Sequence, residues 1–313
     1  MGNETIVKKN NMLIDDIVDF CNKKYITFGD KCGNDTCSHP SNECSGSCYN
    51  CLYEIHYFNG NSCKKSLYDC PKMLYHYVCQ YSLRYASEIL YAFKDEAAFL
   101  SSFENINMMS IGCGNCPDLM AMEMFLYDYG IKVPVSYKGY DINPLWLPVH
   151  NRVQKYCDDN EINSKFKRED AINYFSKFYS KNTNVIVVSY LLSYLYNTPQ
   201  KKEILDFFDR IIDNVILRNN DKKLIVFNDV NSCNRGRDCF DDFISKLRKK
   251  GVHGSYRYMY FDSDRLNKYQ RNGQAYNASS PLFDYDTNIK TKYHVDGMCR
   301  SAQLIVEVKG NDN

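Results

Sequence analysis

From about residue 105 onward, short apolar runs alternate with longer stretches of helical period. Residues 108–111 form an apolar run that ends in Gly-Cys-Gly, and residues 119–129 then repeat at helical spacing. A second strand is expected over 135–140, closed by Asp141, and a short third over 165–168, closed by Glu169 and Asp170. The run VIVVSY at 185–190 reads as a buried strand, 202–217 as an amphipathic helix, 224–228 as a strand and 240–249 as a helix. Two last strands fall at 256–261 and 303–308. No helical period separates them, so antiparallel pairing is expected. Strand–helix alternation of this kind implies a mostly parallel sheet covered on both faces.

The first 100 residues have a different texture. Residues 12–20 have helical spacing, and 71–100 read as one or two helices carrying Met73, Tyr77, Tyr81, Tyr85, Ile89 and Phe93 on one stripe. Core packing is the first reading of that stripe; a base-stacking platform is the alternative. Between these helices lies a stretch rich in Gly, Asn, Ser and Asp without apolar period, which needs something to staple it. The expected division is therefore a helical and cysteine-rich module at 1–100 and an α/β domain with a mostly parallel sheet at 101–313.

Composition changes this picture in three ways. The net charge of +1 leaves no whole-chain footprint for nucleic acid, although a local basic run stands at 246–250. No apolar run reaches the ~18 residues that span a bilayer, and residues 1–11 lack an apolar signal core, so no membrane association and a cytoplasmic location are expected. Eight of the 15 cysteines fall between Cys32 and Cys79, and in a reducing compartment such crowding points to metal rather than to disulfides.

A strand that turns through Gly-x-Gly into a helix lets the backbone pass close to a ligand and offers the unpaired N–H groups of the helix start. Residues 109–118 (MSIGCGNCPD) have that form. Asp141, at the end of the second strand, is placed to accept hydrogen bonds from ribose hydroxyls, and Asp170, near the end of the third, to meet an adenine edge. A dinucleotide site wants a third glycine where Pro117 stands. Proline lacks the N–H and cannot reproduce that glycine's packing role, which counts against NAD.

On these residues, 105–310 resembles the class I S-adenosylmethionine (SAM) dependent methyltransferases. MMSIGCG resembles their first motif, YKGYDINP the acidic second strand, REDA the third strand, NVIVVSYLLSYL the fourth motif and its helix, and KLIVFND the fifth strand. The resemblance implies an α/β, Rossmann-like, seven-stranded, mostly parallel sheet with a reversed last strand. It implies SAM as cofactor, with Gly112 and Gly114 near its methionine part, Asp141 at the ribose and Asp170 at the adenine. Ser110, Cys113, Asp118, Ile142, Ala171, Ser189 and Tyr190 complete the candidate SAM contacts. The sequence departs from the family at Ser110, where an acid is common, and at Cys116, where a glycine is common; Asp118 is a candidate to replace lost polar contacts. After the fourth strand, Ser189-Tyr190-Leu191-Leu192 stands where base N-methyltransferases carry (Asn/Asp)-Pro-Pro-(Tyr/Phe), so that class gains no support. Tyr190 and Asp229, at strand ends, are candidates to position an acceptor. Methyl transfer works largely by proximity and orientation, and no general base is assigned.

Cys44, Cys48 and Cys51 form a Cys-x3-Cys-x2-Cys, and with Cys70 they make the preferred tetrahedral zinc set. The same spacing holds the iron–sulfur cluster of radical-SAM enzymes. Asn50 before the last cysteine, and a Rossmann-like rather than a barrel pattern afterwards, count against that reading. Cys113 and Cys116 are read as small residues beside the ligand, with a redox or zinc pair as the alternative. The expected function is methyl transfer to a small-molecule, protein or RNA acceptor, with the zinc module aiding recognition or stability. Two alternatives stay open: a catalytically silent, zinc-stapled SAM-binding interaction protein, and an aminocarboxypropyl transferase of nicotianamine-synthase type.

Overall fold

The computed structural model describes residues 12–29, 47–56, 68–196, 202–232, 236–261 and 273–310. Among the described residues, four helices precede the sheet: α1 (Leu13–Thr27), α2 (Cys48–His56), α3 (Pro71–Asp95) and α4 (Ala97–Leu100). The sheet region then runs β1 (Ile106–Ile111), α5 (Pro117–Asp128), β2 (Val135–Tyr140), α6 (Leu147–Asp159), β3 (Asn163–Lys167), α7 (Ala171–Tyr174), β4 (Val185–Ser189) and α8 (Leu191–Tyr196). It continues through α9 (Ile204–Asn214), β5 (Lys223–Val230), α10 (Phe240–Lys249), β6 (Gly254–Tyr260), β7 (Gln274–Ala275), α11 (Thr287–Tyr293) and β8 (Ser301–Val308).

The strand order is β3-β2-β1-β4-β5-β8-β6-β7. Pairing is parallel from β3 to β5, while β8 runs antiparallel to both β5 and β6. This is a Rossmann-like α/β sheet whose last strand is reversed, as the sequence led us to expect. It has eight strands rather than seven, because the two-residue β7 adds to the edge beside β6. A strand so short carries no alternation to read. A second correction concerns the stretch between β6 and β8, which contains α11; among its seven residues only Tyr293 is buried, so it shows no amphipathic period.

Burial explains the layers. The central β4 is buried at Val185–Val188, and a strand covered on both faces needs such an unbroken apolar run. One face is covered by α1, α3, α5 and α6, whose Ile17, Phe93, Phe125 and Val153 join Ile106 and Met108 of β1 in one core. The other face is covered by α8, α9 and α10 through Leu195, Phe208, Ile211 and Phe243. The α3 stripe divides between two environments. Ile89 and Phe93 enter the main core, whereas Met73, Tyr81 and Tyr85, with Tyr77 beside them, form a smaller cluster with Cys48, Leu52 and Cys70 that reaches Tyr190 after β4. Among the described residues, no helix is long and apolar enough to cross a membrane.

Candidate functional site

The site is assembled at the carboxyl ends of the parallel strands. The chain leaves β1 through Gly112 (φ 70°), Gly114 (φ 47°) and Cys116 (φ 62°), then enters α5 at Pro117. Left-handed backbone costs little at glycine and more at Cys116, so this turn is held by its bonds. The N–H groups of Gly112 and Cys113 donate to the Tyr140 carbonyl at 2.8 and 3.0 Å, and Cys116 N–H donates to the Cys113 carbonyl at 2.7 Å. The Asp141 carboxylate accepts from Gly114 N–H and from Asn143 N–H, each at 2.9 Å. One carboxylate therefore ties the end of β2 to the glycine turn of β1. Burial pushes its pKa up to about 6, against the lowering effect of those two N–H donors.

Around this turn stand Trp146, whose ring would lie 3.6 Å from a Cβ at Gly114, and Leu191, which would lie 3.5 Å from one at Gly112. Trp146 in turn packs edge-on to Tyr77, with ring centres 5.8 Å apart. Asn143 donates its amide to the Tyr68 carbonyl at 2.8 Å. The segment after β2 is thus joined to the aromatic cluster on α3.

The β4–β5 side has a different construction. Glu88 of α3 is fully buried and accepts from three donors, Tyr190 Oη at 2.7 Å, Asn228 Nδ2 at 3.1 Å and Arg300 N–H at 2.8 Å, while the Arg84 guanidinium faces it as an ion pair at 3.9 Å. Gln303 donates both to the Glu88 carbonyl at 2.7 Å and to Asn228 Oδ1 at 2.9 Å. Arg84 lies over the Tyr81 and Tyr85 rings and pairs with Asp296 at 3.1 Å. Tyr190 has φ 55°, an uncommon conformation for a tyrosine. Its N–H bond to the Asn228 carbonyl at 2.7 Å and its ring contact with Tyr85, at 4.1 Å between centres, hold it there.

The candidate SAM residues do not all meet in one place. Gly112, Gly114 and Asp141 meet directly, with Cys113 in the same turn. Ser110 and Asp118 lie buried behind it: Asp118 bonds Ser110 and accepts from Tyr137 Oη at 3.0 Å, and burial raises its pKa to about 6. Ile142 is 65% exposed beside Asp141. Asp170 caps α7, accepting from Ile172 N–H at 2.9 Å and from the Asn173 amide at 2.8 Å, while Ala171 is buried. Asp141 N–H reaches the Lys167 carbonyl at 3.1 Å, which links the ends of β2 and β3. Ser189 Oγ accepts from Asn228 Nδ2 at 3.2 Å, and Tyr190 joins the Glu88 group. Asp229 accepts from the N–H groups of Ser193 (3.1 Å) and Val230 (2.7 Å), and burial raises its pKa to about 6.

Sequence reasoning missed Glu88, Arg84, Asn228, Gln303 and Trp146. A signal existed for the first two: an oppositely charged pair four apart, inside a helical stripe otherwise apolar or aromatic, is too costly to bury unless paired.

Of the expected metal set, Cys44 lies outside the described residues. Cys48, Cys51 and Cys70 come together in the small cluster with Leu52, Met73, Tyr81 and Tyr85. The grouping of three metal-ligating side chains that the described residues contain lies elsewhere, at Cys113, Cys116 and His150. Burial lowers the His150 pKa to about 4 and raises that of Cys113.

No protein-family description and no curated protein matches the chain. Among solved structures it is similar to a protein from Listeria monocytogenes assigned as a class I SAM-dependent methyltransferase, at 8% identity and TM-score 0.48, over 96% of this chain and 89% of that one. It is also similar to a SAM-dependent methyltransferase from Archaeoglobus fulgidus (14% identity, 69% and 93% covered, TM-score 0.38). A protein from Streptococcus mutans assigned as a methyltransferase and solved with SAH is a further likeness (12%, 69% and 97%, TM-score 0.36). Identities and scores this low carry no argument about residues or acceptor, and the Rossmann-like assignment rests on the strand order and the reversed β8.

Proposed function

We propose that the chain binds SAM across the carboxyl ends of β1 and β2 and transfers its methyl group to an acceptor docked against the aromatic face of α3. The observation that carries this reading is the Asp141 carboxylate, bonded to Gly114 N–H at the junction of a left-handed glycine turn and an adjacent parallel strand. The residues fit the cofactor. Gly112 and Gly114 leave the turn without side chains, and Asp141 keeps lone pairs for ribose hydroxyls beyond the two N–H bonds it accepts. Ile142 offers exposed apolar surface next to it. When bound, SAM supplies an electrophilic methyl group on a sulfonium. The chain's own contribution is to hold the acceptor in line and to exclude water; Tyr190, half-buried just after β4, is our candidate for that contact.

Isothermal titration of SAM into the wild-type chain and into Asp141→Ala tests the reading. Binding that weakens in the variant supports it; no heat at millimolar SAM, or equal affinity in the variant, removes it. A catalytically silent SAM-binding domain is the second reading, favoured by the engagement of the Tyr190 hydroxyl with Glu88. Tight SAM binding without turnover across small-molecule, protein and RNA acceptors would select it. The expected zinc set at Cys44, Cys48, Cys51 and Cys70 remains a proposal: the last three share one small cluster, but they are not among the described residues whose ligand atoms lie within metal-binding range of one another. Metal analysis of Cys48→Ser tests it: unchanged zinc content rejects that set.

A further inference from the structure

Three thiol and imidazole side chains converge behind the glycine turn. Cys113 follows Gly112, Cys116 ends the turn as the residue preceding α5, and His150 comes from the first turns of α6. Their ligand atoms all lie within 4.8 Å of one another. Cys113 is 1% exposed and Cys116 0%. The sulfurs therefore belong to the interior side of the turn, not to the crevice where the Asp141 carboxylate lies.

We infer that Cys113, Cys116 and His150 bind a divalent metal ion of the zinc class. This site is separate from the cysteine-rich stretch near the N-terminus and does not depend on whether SAM binds. Spacing is the first support. Zinc–sulfur bonds of ~2.3 Å and zinc–nitrogen bonds of ~2.0 Å, opened to the tetrahedral angle, separate sulfur and nitrogen by roughly 3.5 Å. Cys113 Sγ and His150 Nε2 stand 3.7 Å apart. Donor type is the second support, since thiolate and imidazole together suit zinc and not calcium or magnesium. The third is orientation: the His150 ring is stacked on Phe166, 4.4 Å between centres and 11° from parallel, and so cannot swing away freely. A Cβ at residue 139 would lie 2.8 Å from Cys113 Sγ, so Gly139 leaves room where the sulfur must sit.

His150 Nε2 hydrogen-bonds the Gly114 carbonyl at 2.7 Å. Metal entry replaces that bond. The ring proton is carried on Nδ1, Nε2 gives its lone pair to the metal, and the two thiols release their protons to solvent. No electrons are exchanged. Three protein donors leave the fourth position to an oxygen, from the Gly114 carbonyl or from water. The metal would clamp the β1 turn, the start of α5 and α6 together, and so fix the backbone that lines the crevice.

The test uses the full chain. Cobalt(II) titrated into metal-stripped wild-type protein is expected to give thiolate-to-cobalt absorption and intense tetrahedral bands. His150→Gln and Cys113→Ser are each expected to lower bound zinc by one equivalent per chain, whereas Cys157→Ser should leave it unchanged. Full metal content in both folded variants overturns the site. If those variants do not fold, alkylation of the wild-type chain followed by peptide mass spectrometry decides. Cys113 and Cys116 should react in the stripped protein and resist in the zinc-loaded one. Equal reaction in both states, or a metal-free Cys113–Cys116 disulfide, overturns the proposal.

Discussion

The two sides of the crevice are built from different materials. On the β1–β2 side, the work is done by backbone N–H groups, two glycines and one carboxylate, all within a span of 32 residues from 112 to 143. On the β4–β5 side, it is done by side chains: Glu88 of α3 holds Tyr190, Asn228 and Arg300, with Gln303 closing the group from β8. A backbone cradle tolerates side-chain change but needs its turn. A buried side-chain network depends on each member, because a partner left alone keeps the desolvation cost without its bond. The first side should therefore fail in binding and the second in folding.

Glu88→Ala is the most severe way to test that contrast. It removes the acceptor of the Tyr190 hydroxyl and of the Arg300 N–H, leaves the Asn228 amide only Ser189 Oγ, and takes away one of the two carboxylates facing Arg84. Removing one partner of a buried charge network costs about 3–5 kcal/mol, a large share of the ~5–15 kcal/mol that a domain has. Urea unfolding is expected to show that loss, with Glu88→Gln recovering part of it. A loss under ~1 kcal/mol would mean that the network is not what holds this side.

Asp141→Ala should show the opposite profile. Losing even one hydrogen bond to a charged acceptor costs about 1.5–3 kcal/mol, so SAM affinity should fall at least about ten- to a hundredfold. The unfolding midpoint should change much less than in Glu88→Ala. If Asp141→Ala unfolds the protein while Glu88→Ala only weakens binding, the contrast is reversed.

This contrast also explains what could be read in the sequence. The cradle is local: Gly112, Gly114 and Asp141 mark the ends of strands that announce themselves by apolar runs such as VIVVS. The parallel character of the sheet followed from that alternation, and the reversed β8 from two adjacent strand patterns with no helix evident between them, although α11 does lie there. The Glu88 network is assembled from α3, the end of β4, β5 and β8, so no window of sequence contains it. The stripe on α3 reads as core packing and does pack: Ile89 and Phe93 lie in the main core, and Tyr81 and Tyr85, with Tyr77 beside them, in the smaller cluster; that there are two environments was not legible, because period reports which face of a helix is apolar and not what covers it. The metal reading followed cysteine density. Structure instead brought Cys113 and Cys116 to a histidine on a different helix.

Acidity gives a gentler test of the cradle. Asp141, raised to about 6 by burial, must be ionised to accept two ribose hydroxyls in addition to its N–H donors. SAM affinity should be full at about pH 8 and weaken about tenfold between about pH 7 and pH 5, as the carboxylate protonates. The sign for stability is the reverse. A carboxyl whose folded pKa lies above its ordinary 3.8 takes up a proton in the folded state before the unfolded chain does, so this group's contribution to stability rises as pH falls from about 6 toward 3.8. Affinity lost over this range while the folded state holds would belong to the cradle. Parallel loss of both would assign it to unfolding.

The smallest expected effect is the most discriminating for the β4–β5 side. Tyr190→Phe keeps the ring against Tyr85 and removes only the hydroxyl bond to Glu88. Asn228 Nδ2 and Arg300 N–H still reach the carboxylate, so the expected cost is about 1 kcal/mol, the ordinary worth of one hydrogen bond. Tyr190 also sits at φ 55°, a conformation that its N–H bond to Asn228 and its ring contact must sustain. If the hydroxyl were the main restraint, its loss would release the strain, and SAM affinity would change along with stability. If the backbone bond and the ring suffice, stability should fall slightly and SAM affinity should stay within about twofold. The second outcome is expected, because the Asn228 carbonyl bond at 2.7 Å and the Tyr85 contact at 4.1 Å both survive the substitution.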